Sequence, residues 1–364
     1  MATVGVEEEY LLVDPVTGRL APCAAAVLAE AELAPLVASG EVQPELLQAQ
    51  VEVATPVCDS LQDVGAHLLR LRRAMAKAAR AHGCRVTASG TPPFREDGPV
   101  LLTEQARFEA IQRQAPQLVA EQLVNGMHVH VAVPSRRVGV EVLNRIRVWL
   151  PTLIAMAANS PLWRENDTGF ASWRTIVFDR WPVSGIPPCF TDEKDYEHHV
   201  RRLLDTGVIN DVAQIYWQVR LSERYPTVEV RSLDVQLRPG DAVLFAGLVR
   251  ALVDTAVREL EAGIDPLYID AELLRVAMWQ AARHGLNGEL LDPLGRRRPA
   301  GDVVRKLLHH LAPALQGATD AHEVTALVHR LLKEGNGADR QRRALADGGL
   351  PAVMELIVED GSSA

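Results

Sequence analysis

Five short stretches of this chain carry carboxylates, imidazoles and guanidiniums at a spacing of two. They read GVEEEYLLVD at residues 5–14, QAQVEVAT at 48–55, NGMHVHVAV at 125–133, IYWQVRL at 215–221 and TVEVRSLD at 227–234. In an extended chain successive side chains point to opposite faces, so Glu7 and Glu9 share one face while Glu8 joins Val6, Tyr10 and Leu12 on the other. The same alternation sets Gln48, Gln50 and Glu52 against Val51 and Val53, and His128 and His130 against Met127, Val129 and Val131. It sets Gln218 and Arg220 against Trp217 and Val219, and Glu229 and Arg231 against Val228 and Val230.

Adjacent like charges repel unless a cation, an arginine or open water compensates them. A solvated sheet face normally favours threonine, serine and lysine, yet these polar edges contain no lysine. Glu7, Glu9, Glu52 and Glu229 are oxygen ligands suited to Mg²⁺ or Mn²⁺, and His128 and His130 add imidazole, which suits Mn²⁺ or Zn²⁺. Structural zinc is disfavoured, because there are no cysteine ligands and no H-E-x-x-H. Arg220 and Arg231 on the same face would make bidentate bonds to phosphate oxygens. Together these groups suit a nucleotide whose phosphates are bridged by two or three metals. The usual backbone cradles are absent, with no G-x-x-x-x-G-K-[ST] and no G-x-G-x-x-G after a strand. Bound ATP would therefore have to be held by metals and arginines across an open sheet.

The elements that must position these groups follow from the same alternation. Strands with one apolar and one polar edge predict an α+β fold, a mostly antiparallel sheet with helices on one face and the other face open to solvent or to a site. Helices are expected at 61–82, ended by Gly83, and at 137–160. From Pro239 onward the pattern is almost wholly helical, with a start at RPGD (238–241) and further helices near 264–284, 300–314, 320–334 and 350–359. The chain reads as a single domain over 1–364, with a sheet-containing part at 1–238 and a helical region at 239–364, which offers a possible surface for a homo-oligomer.

With 364 residues, 48% hydrophobic content and a net charge of −9, the chain has the makings of a large globular core, and the acidic balance argues against nucleic acid as its partner. Arg296 to Arg298 form a local basic patch expected in a solvated turn. Four widely spaced cysteines without C-x-x-C, the absence of a basic-then-apolar opening and the absence of a long apolar run point to a cytoplasmic protein with no membrane partner.

GVEEEY, NGMHVHV, ANSPLWRENDTGFASWR (158–174), DRWPVSGIPPCF (179–190) and YPTVEVRSLDVQ (225–236) resemble, in order, the carboxylate–amine ligases of the glutamate–cysteine ligase type 2 family. That family belongs to the glutamine synthetase-like superfamily, so the resemblance implies a sheet curved around ATP, two or three Mg²⁺ or Mn²⁺ ions and the substrates. It implies Glu7 and Glu9 as an E-x-E metal pair and Glu52 as a further metal carboxylate, with Glu45, seven residues earlier, as another candidate. GMH at 126–128 implies His128 as a metal ligand and His130 as a contact for phosphate or substrate. VEVR implies Glu229 as a metal ligand and Arg231 as a contact for the transferred phosphoryl group. SGTPPF (89–94) departs from the pattern, with Pro92 where many relatives carry histidine.

Residues 160–190 would form a long loop with three tryptophans, either a hydrophobic cluster on the sheet edge or a lid carrying Arg164 or Arg174 toward a carboxylate or phosphate. The recurring A-S-x-R of the family favours Arg174. The resemblance implies ATP-dependent amide formation through an acyl phosphate from a small carboxylate and an amine, with L-glutamate and L-cysteine as the reference pair. A metal-dependent amide hydrolase and a non-catalytic nucleotide-binding relative are the two other readings.

Overall fold

The computed structural model describes residues 2–32, 34, 37–96, 98–316 and 321–359. Eight strands form one sheet: β1 (Val4–Val13), β2 (Val42–Pro44), β3 (Gln50–Ala54), β4 (Arg85–Thr87), β5 (Gly126–Ala132), β6 (Val219–Leu221), β7 (Thr227–Asp234) and β8 (Val358–Glu359). Their order is β6-β7-β5-β1-β3-β2, with β4 beside the later part of β1 and β8 beyond β4. All pairings in this sheet are antiparallel, as the alternation requires. The expected strand at 215–221 is divided at Gln218. Its first part, Tyr216–Trp217, pairs in parallel with Ser184–Gly185, and only Val219–Leu221 joins the large sheet.

The apolar edges of β1, β5, β6 and β7 meet helices in one core that includes Val6, Val129, Val219 and Val230. The helix Leu61–Ala81 presents Leu61, Val64, Leu68, Leu71 and Met75 to the sheet, and Ser60 caps it by accepting from the backbone N–H of Asp63. Gly83, with φ of 73°, turns the chain into β4 in the left-handed region that glycine tolerates. The expected helix at 137–160 is two helices, Arg136–Ile146 and Leu150–Ala157, joined by one 3₁₀ turn. Pro151 explains the break, since it has no N–H to donate and fits only the first turn of the second helix. Pro239–Glu261 begins where the RPGD motif places it and is buried around most of its circumference, packed against the sheet and four other helices.

The C-terminal region differs from the expectation in two places. A hairpin, Glu289–Leu291 with Arg297–Pro299, interrupts the helices, and Arg296 to Arg298 stand exposed in its turn and second strand. The expected helix at 350–359 is the far end of Gly337–Ile357, kinked at Gly348–Gly349, and its last two residues are the strand β8. Glu359 is drawn there by Arg72 Nη1, 3.2 Å away beneath the sheet. The remaining expected helices appear as Ala271–His284, Ala300–Gln316 and Ala321–Glu334; residue 320 lies outside the described residues.

Residues 160–190 are built rather than looped. They form the hairpin Leu162–Trp163/Asn166–Asp167, the helix Trp173–Phe178 capped by Ser172, and the strand Ser184–Gly185.

Candidate functional site

Cross-strand register carries the polar residues into one band across the open face. Gln43 pairs with Glu52, Glu52 with Glu9, Glu7 with His128, His130 with Glu229, and Glu229 with Arg220. His128 stands between the two carboxylates of β1, with Nδ1 3.1 Å from Glu7 and Nε2 3.7 Å from Glu9. His130 Nε2 lies 3.4 Å from Glu7, and its Nδ1 lies 3.1 Å from Thr227 Oγ1. Ligand atoms of Glu7, His128 and Glu229 fall within 4.8 Å of one another, and so do those of Glu9, Glu52 and His128.

A bulge in β7 between Val230 and Leu233 places Arg231 where its backbone N–H donates to Gln218 at 2.8 Å and its guanidinium hydrogen-bonds Glu229. Arg220 Nε donates to the other oxygen of Glu229 at 2.8 Å. Two arginines thus converge on one buried carboxylate. Arg231 Nε has no protein partner, so the guanidinium retains a donor.

Burial would raise the carboxyl of Glu229, but the charges of Arg231 and Arg220 outweigh it and hold it far below the usual range. Burial also opposes ionisation of Glu7, and hydrogen bonds from His128 and His130 overcome it, so Glu7 too is held down. Glu52 goes the other way, pushed well up by burial and by repulsion from Glu7, Glu45 and Glu9. Glu45 is pushed up to about 7 by burial and by Glu9. The Glu9–Glu52–Glu45 side of the band therefore has carboxylates in excess of neighbouring cations. This donor set fits a hard divalent cation, whose charge would remove the repulsion. The absence of cysteine and the single histidine shared by the two groups fit Mg²⁺ or Mn²⁺ better than zinc.

The band floors a cavity of about 1310 Å³ lined by Glu7, Glu9, Glu45, Glu52, His128, His130, Arg220, Glu229 and Arg231. Sequence reasoning missed its walls. One wall carries Arg107 and Phe108, from the helix Ala106–Gln114, and the others carry Asp211, Gln214, Tyr216 and Tyr225. Tyr216 shares the parity of Gln218 and Arg220, and Tyr225 that of Glu229 and Arg231, whereas Arg107, Phe108, Asp211 and Gln214 lie in no repeated pattern. The signal for Tyr216 and Tyr225 was the alternation itself, and for Arg107 and Phe108 only composition, an arginine beside aromatic and apolar residues on a short amphipathic helix.

Arg174 does not line the cavity, nor does any other residue of 160–190. It is 1% exposed and lies under the floor, where Nη2 donates to the Arg231 carbonyl at 3.2 Å and Nη1 approaches Asp234 at 3.9 Å. A Cβ at Gly126 would fall 2.3 Å from that Nη2, so only glycine leaves room for the guanidinium, and the Gly126 N–H donates to Glu9 at 2.6 Å. Arg174 thus touches the backbone beneath Arg231 and adjoins the glycine that holds Glu9. Pro92 is buried and outside the cavity lining, like the segment around it.

Among the described residues no helix is long and apolar enough to cross a membrane. The chain is similar to two proteins bearing the name "Putative glutamate--cysteine ligase 2". The one from Streptomyces coelicolor is 44% identical over 360 residues, covering 98% of each chain. The one from Rhodopirellula baltica is 39% identical over 361 residues, covering 98% of this chain and 96% of that one. In fold it is similar to a glutamate–cysteine ligase from Francisella tularensis solved in complex with AMP, with a TM-score of 0.73 at 12% identity over 98% of this chain and 87% of that one. The model of glutamate–cysteine ligase family 2 matches residues 3–356, and the chain belongs to that family.

Proposed function

We propose that this protein is an ATP-dependent carboxylate–amine ligase that makes an amide through an acyl phosphate, with L-glutamate as the carboxylate and L-cysteine as the amine. The observation that carries the reading is the pairing, on one cavity floor, of two potential metal groups joined at His128 with two arginines converging on Glu229. Membership of the family supports the reaction class. A cytoplasmic setting belongs to the same proposal.

Glu7, His128 and Glu229 would hold one Mg²⁺ or Mn²⁺, and Glu9 and Glu52, with Glu45 beside them, would hold a second. When bound, these ions neutralise phosphate oxygens and so favour charge build-up on the transferring group. The chain's own contribution is electrostatic positioning. Arg231 keeps its charge because Glu229, Glu9 and Glu7 outweigh its burial. It would donate to the γ-phosphoryl oxygens while the substrate carboxylate attacks phosphorus and ADP leaves. His130 and Arg220 would contact the same nucleotide phosphates. Arg174, below, would keep the backbone of Arg231 in place. The amine then attacks the activated carbonyl, the C–N bond forms, the C–O bond to phosphate breaks, and inorganic phosphate departs. The cavity walls would exclude water that otherwise hydrolyses the acyl phosphate.

Incubation with ATP, Mg²⁺, L-glutamate and hydroxylamine should yield a hydroxamate, ADP and phosphate in equal amounts. Amide cleavage that needs metal and no nucleotide, with no ADP formed in the presence of any amino acid, would replace the ligase with a hydrolase.

A further inference from the structure

Cys23 and Cys84, sixty-one residues apart in sequence, bring their Sγ atoms to 3.1 Å. Non-bonded carbons pack no closer than about 3.5 Å. A disulfide sets its sulfurs about 2.05 Å apart, so this pair has only about 1 Å to travel before it can close. Fixed backbone holds both cysteines. Cys23 stands immediately before the helix Ala24–Glu32, and its carbonyl accepts from the Val27 N–H at 3.0 Å. Cys84 follows the Gly83 turn and leads into β4, its own N–H donating to the Ala79 carbonyl at 3.0 Å. The two sulfurs differ in exposure. Cys84 is 2% exposed, whereas Cys23 is half-buried at the rim of a small core that includes Val42, Leu71, Met75 and Val86. They differ in acidity in the same sense, since the hydrogen bond from Cys84 draws the Cys23 thiol down and the same bond, with burial, pushes Cys84 far up. Cys23 is thus the reachable, reactive sulfur, and Cys84 is a second thiol already in contact with it. The other two cysteines have partners that are not thiols. Cys58, buried, donates to the Pro56 carbonyl at 3.2 Å, and Cys189 accepts from Arg147 Nη1 at 3.0 Å.

We propose that Cys23 and Cys84 form a redox-active dithiol, a covalent modification site that a hydroperoxide converts to a reversible disulfide. The Cys23 thiolate attacks a peroxide oxygen, an S–O bond forms as the O–O bond breaks, and the departing oxygen takes a proton from solvent to leave as water or an alcohol. Cys23 is then a sulfenic acid, oxidised by two electrons. The Cys84 sulfur attacks the Cys23 sulfur, the S–S bond forms as the S–O bond breaks, and hydroxide leaves with the Cys84 proton as water. The ring closed in this way runs from residue 23 to residue 84. It encloses β2, β3 and the helix Leu61–Ala81, with Glu45 and Glu52 of the polar band among its residues. Closing so long a loop restricts the unfolded chain and stabilises the fold. Neither cysteine lines the cavity, so the link fastens these strands from the side away from the polar band.

Hydrogen peroxide added to the fully reduced chain, followed by intact mass and by tryptic mapping without reductant, tests the proposal. The wild type should lose two hydrogens, about 2 Da, and join the Cys23 peptide to the Cys84 peptide, with dithiothreitol restoring both thiols. Cys84→Ser should leave Cys23 as a sulfenic acid that dimedone traps, because the second thiol is gone. The linked form should melt several degrees above the reduced form, a gain that Cys23→Ser and Cys84→Ser do not show after the same treatment. The mapping uses wild-type protein and stands whether or not either variant folds. Peroxide that oxidises Cys189 while Cys23 and Cys84 stay reduced would overturn the site. A link from either cysteine to Cys58, to Cys189 or to another chain, or a linked form that melts no higher, would overturn it as well.

Discussion

Glu8 and Arg72, sixty-four residues apart in sequence, meet under the sheet with Nε donating to Oε2 at 3.0 Å, both fully sealed from water. The middle glutamate of the EEE run is thus a partner for a helix arginine, while its neighbours face the cavity. Tyr10 also donates to Glu8, and Arg72 reaches Glu359 and the carbonyls of Gln236 and Leu237. Removing one member of such a pair strands the other charge in the core. Arg72→Met should therefore cost about 3–5 kcal/mol in denaturant unfolding, and pairing it with Glu8→Leu should recover much of that loss.

Replacing Glu7, Glu9 or Glu229 with glutamine removes charge while keeping volume. Each variant should bind Mg-ATP at least about tenfold more weakly by titration calorimetry, since even outer partners of metal ligands are worth 10–100-fold. Thermal unfolding without metal should be little changed for Glu9→Gln, which keeps an acceptor for the Gly126 N–H. Unaltered affinity in all three would return the band to ordinary polar surface.

Arg231→Lys keeps a positive charge and loses the planar fork. Because Arg231 already hydrogen-bonds Glu229 and retains a free donor at Nε, kcat should fall by about 10²-fold with a smaller change in the KM for ATP. Near-normal kcat in steady-state assays would mean that Arg231 serves only to balance Glu229.

Metal binding should release protons near neutral pH. Burial and neighbouring carboxylates push Glu45 up to about 7 and raise Glu52 as well, so a cation binding beside Glu45 must displace protons from it near neutral pH. The sign for folding is the reverse of a salt-bridged carboxylate. A folded pKa above the unfolded value stabilises the metal-free fold at low pH, and that stability is lost as pH rises from the ordinary carboxylate range through 7. Added Mn²⁺ should therefore raise the melting temperature more at pH 8 than at pH 6. Calorimetry in buffers of different ionisation enthalpy would count the protons released. No release at pH 6 to 7 would place metal binding elsewhere.

Much of this site was legible in the sequence because a period of two is a strong constraint. Once Glu7 and Glu9 share a face, the neighbouring H-x-H and E-x-R strands need only antiparallel register to join them. The same rule placed Glu8 on the apolar face and gave no hint of Arg72, since a pairing across sixty-four residues leaves no local periodicity. Arg231 follows the alternation, but the bulge that seats it arises from one extra residue in β7, which appears only when β5 is laid beside it. The segment of Arg174 looks like a loop in sequence and fits a sheet-edge cluster or a lid equally; its burial follows from a short capped helix and from the space left by Gly126. The cavity walls at Arg107 and Tyr216 come from unrelated segments that converge only in three dimensions.

The position of β8 has a consequence for how the molecule is made. The strands that carry the polar band are complete by Asp234, yet the sheet edge at β4 and the second carboxylate of Arg72 are supplied by Val358 and Glu359. During vectorial synthesis the ribosome will have released the whole floor of the site long before that edge is paired. The nascent chain must therefore hold β4 open to water, as an unpaired edge able to recruit foreign strands, until the last helices emerge. The partner of that edge thus comes from a point remote in sequence from where the chemistry would take place.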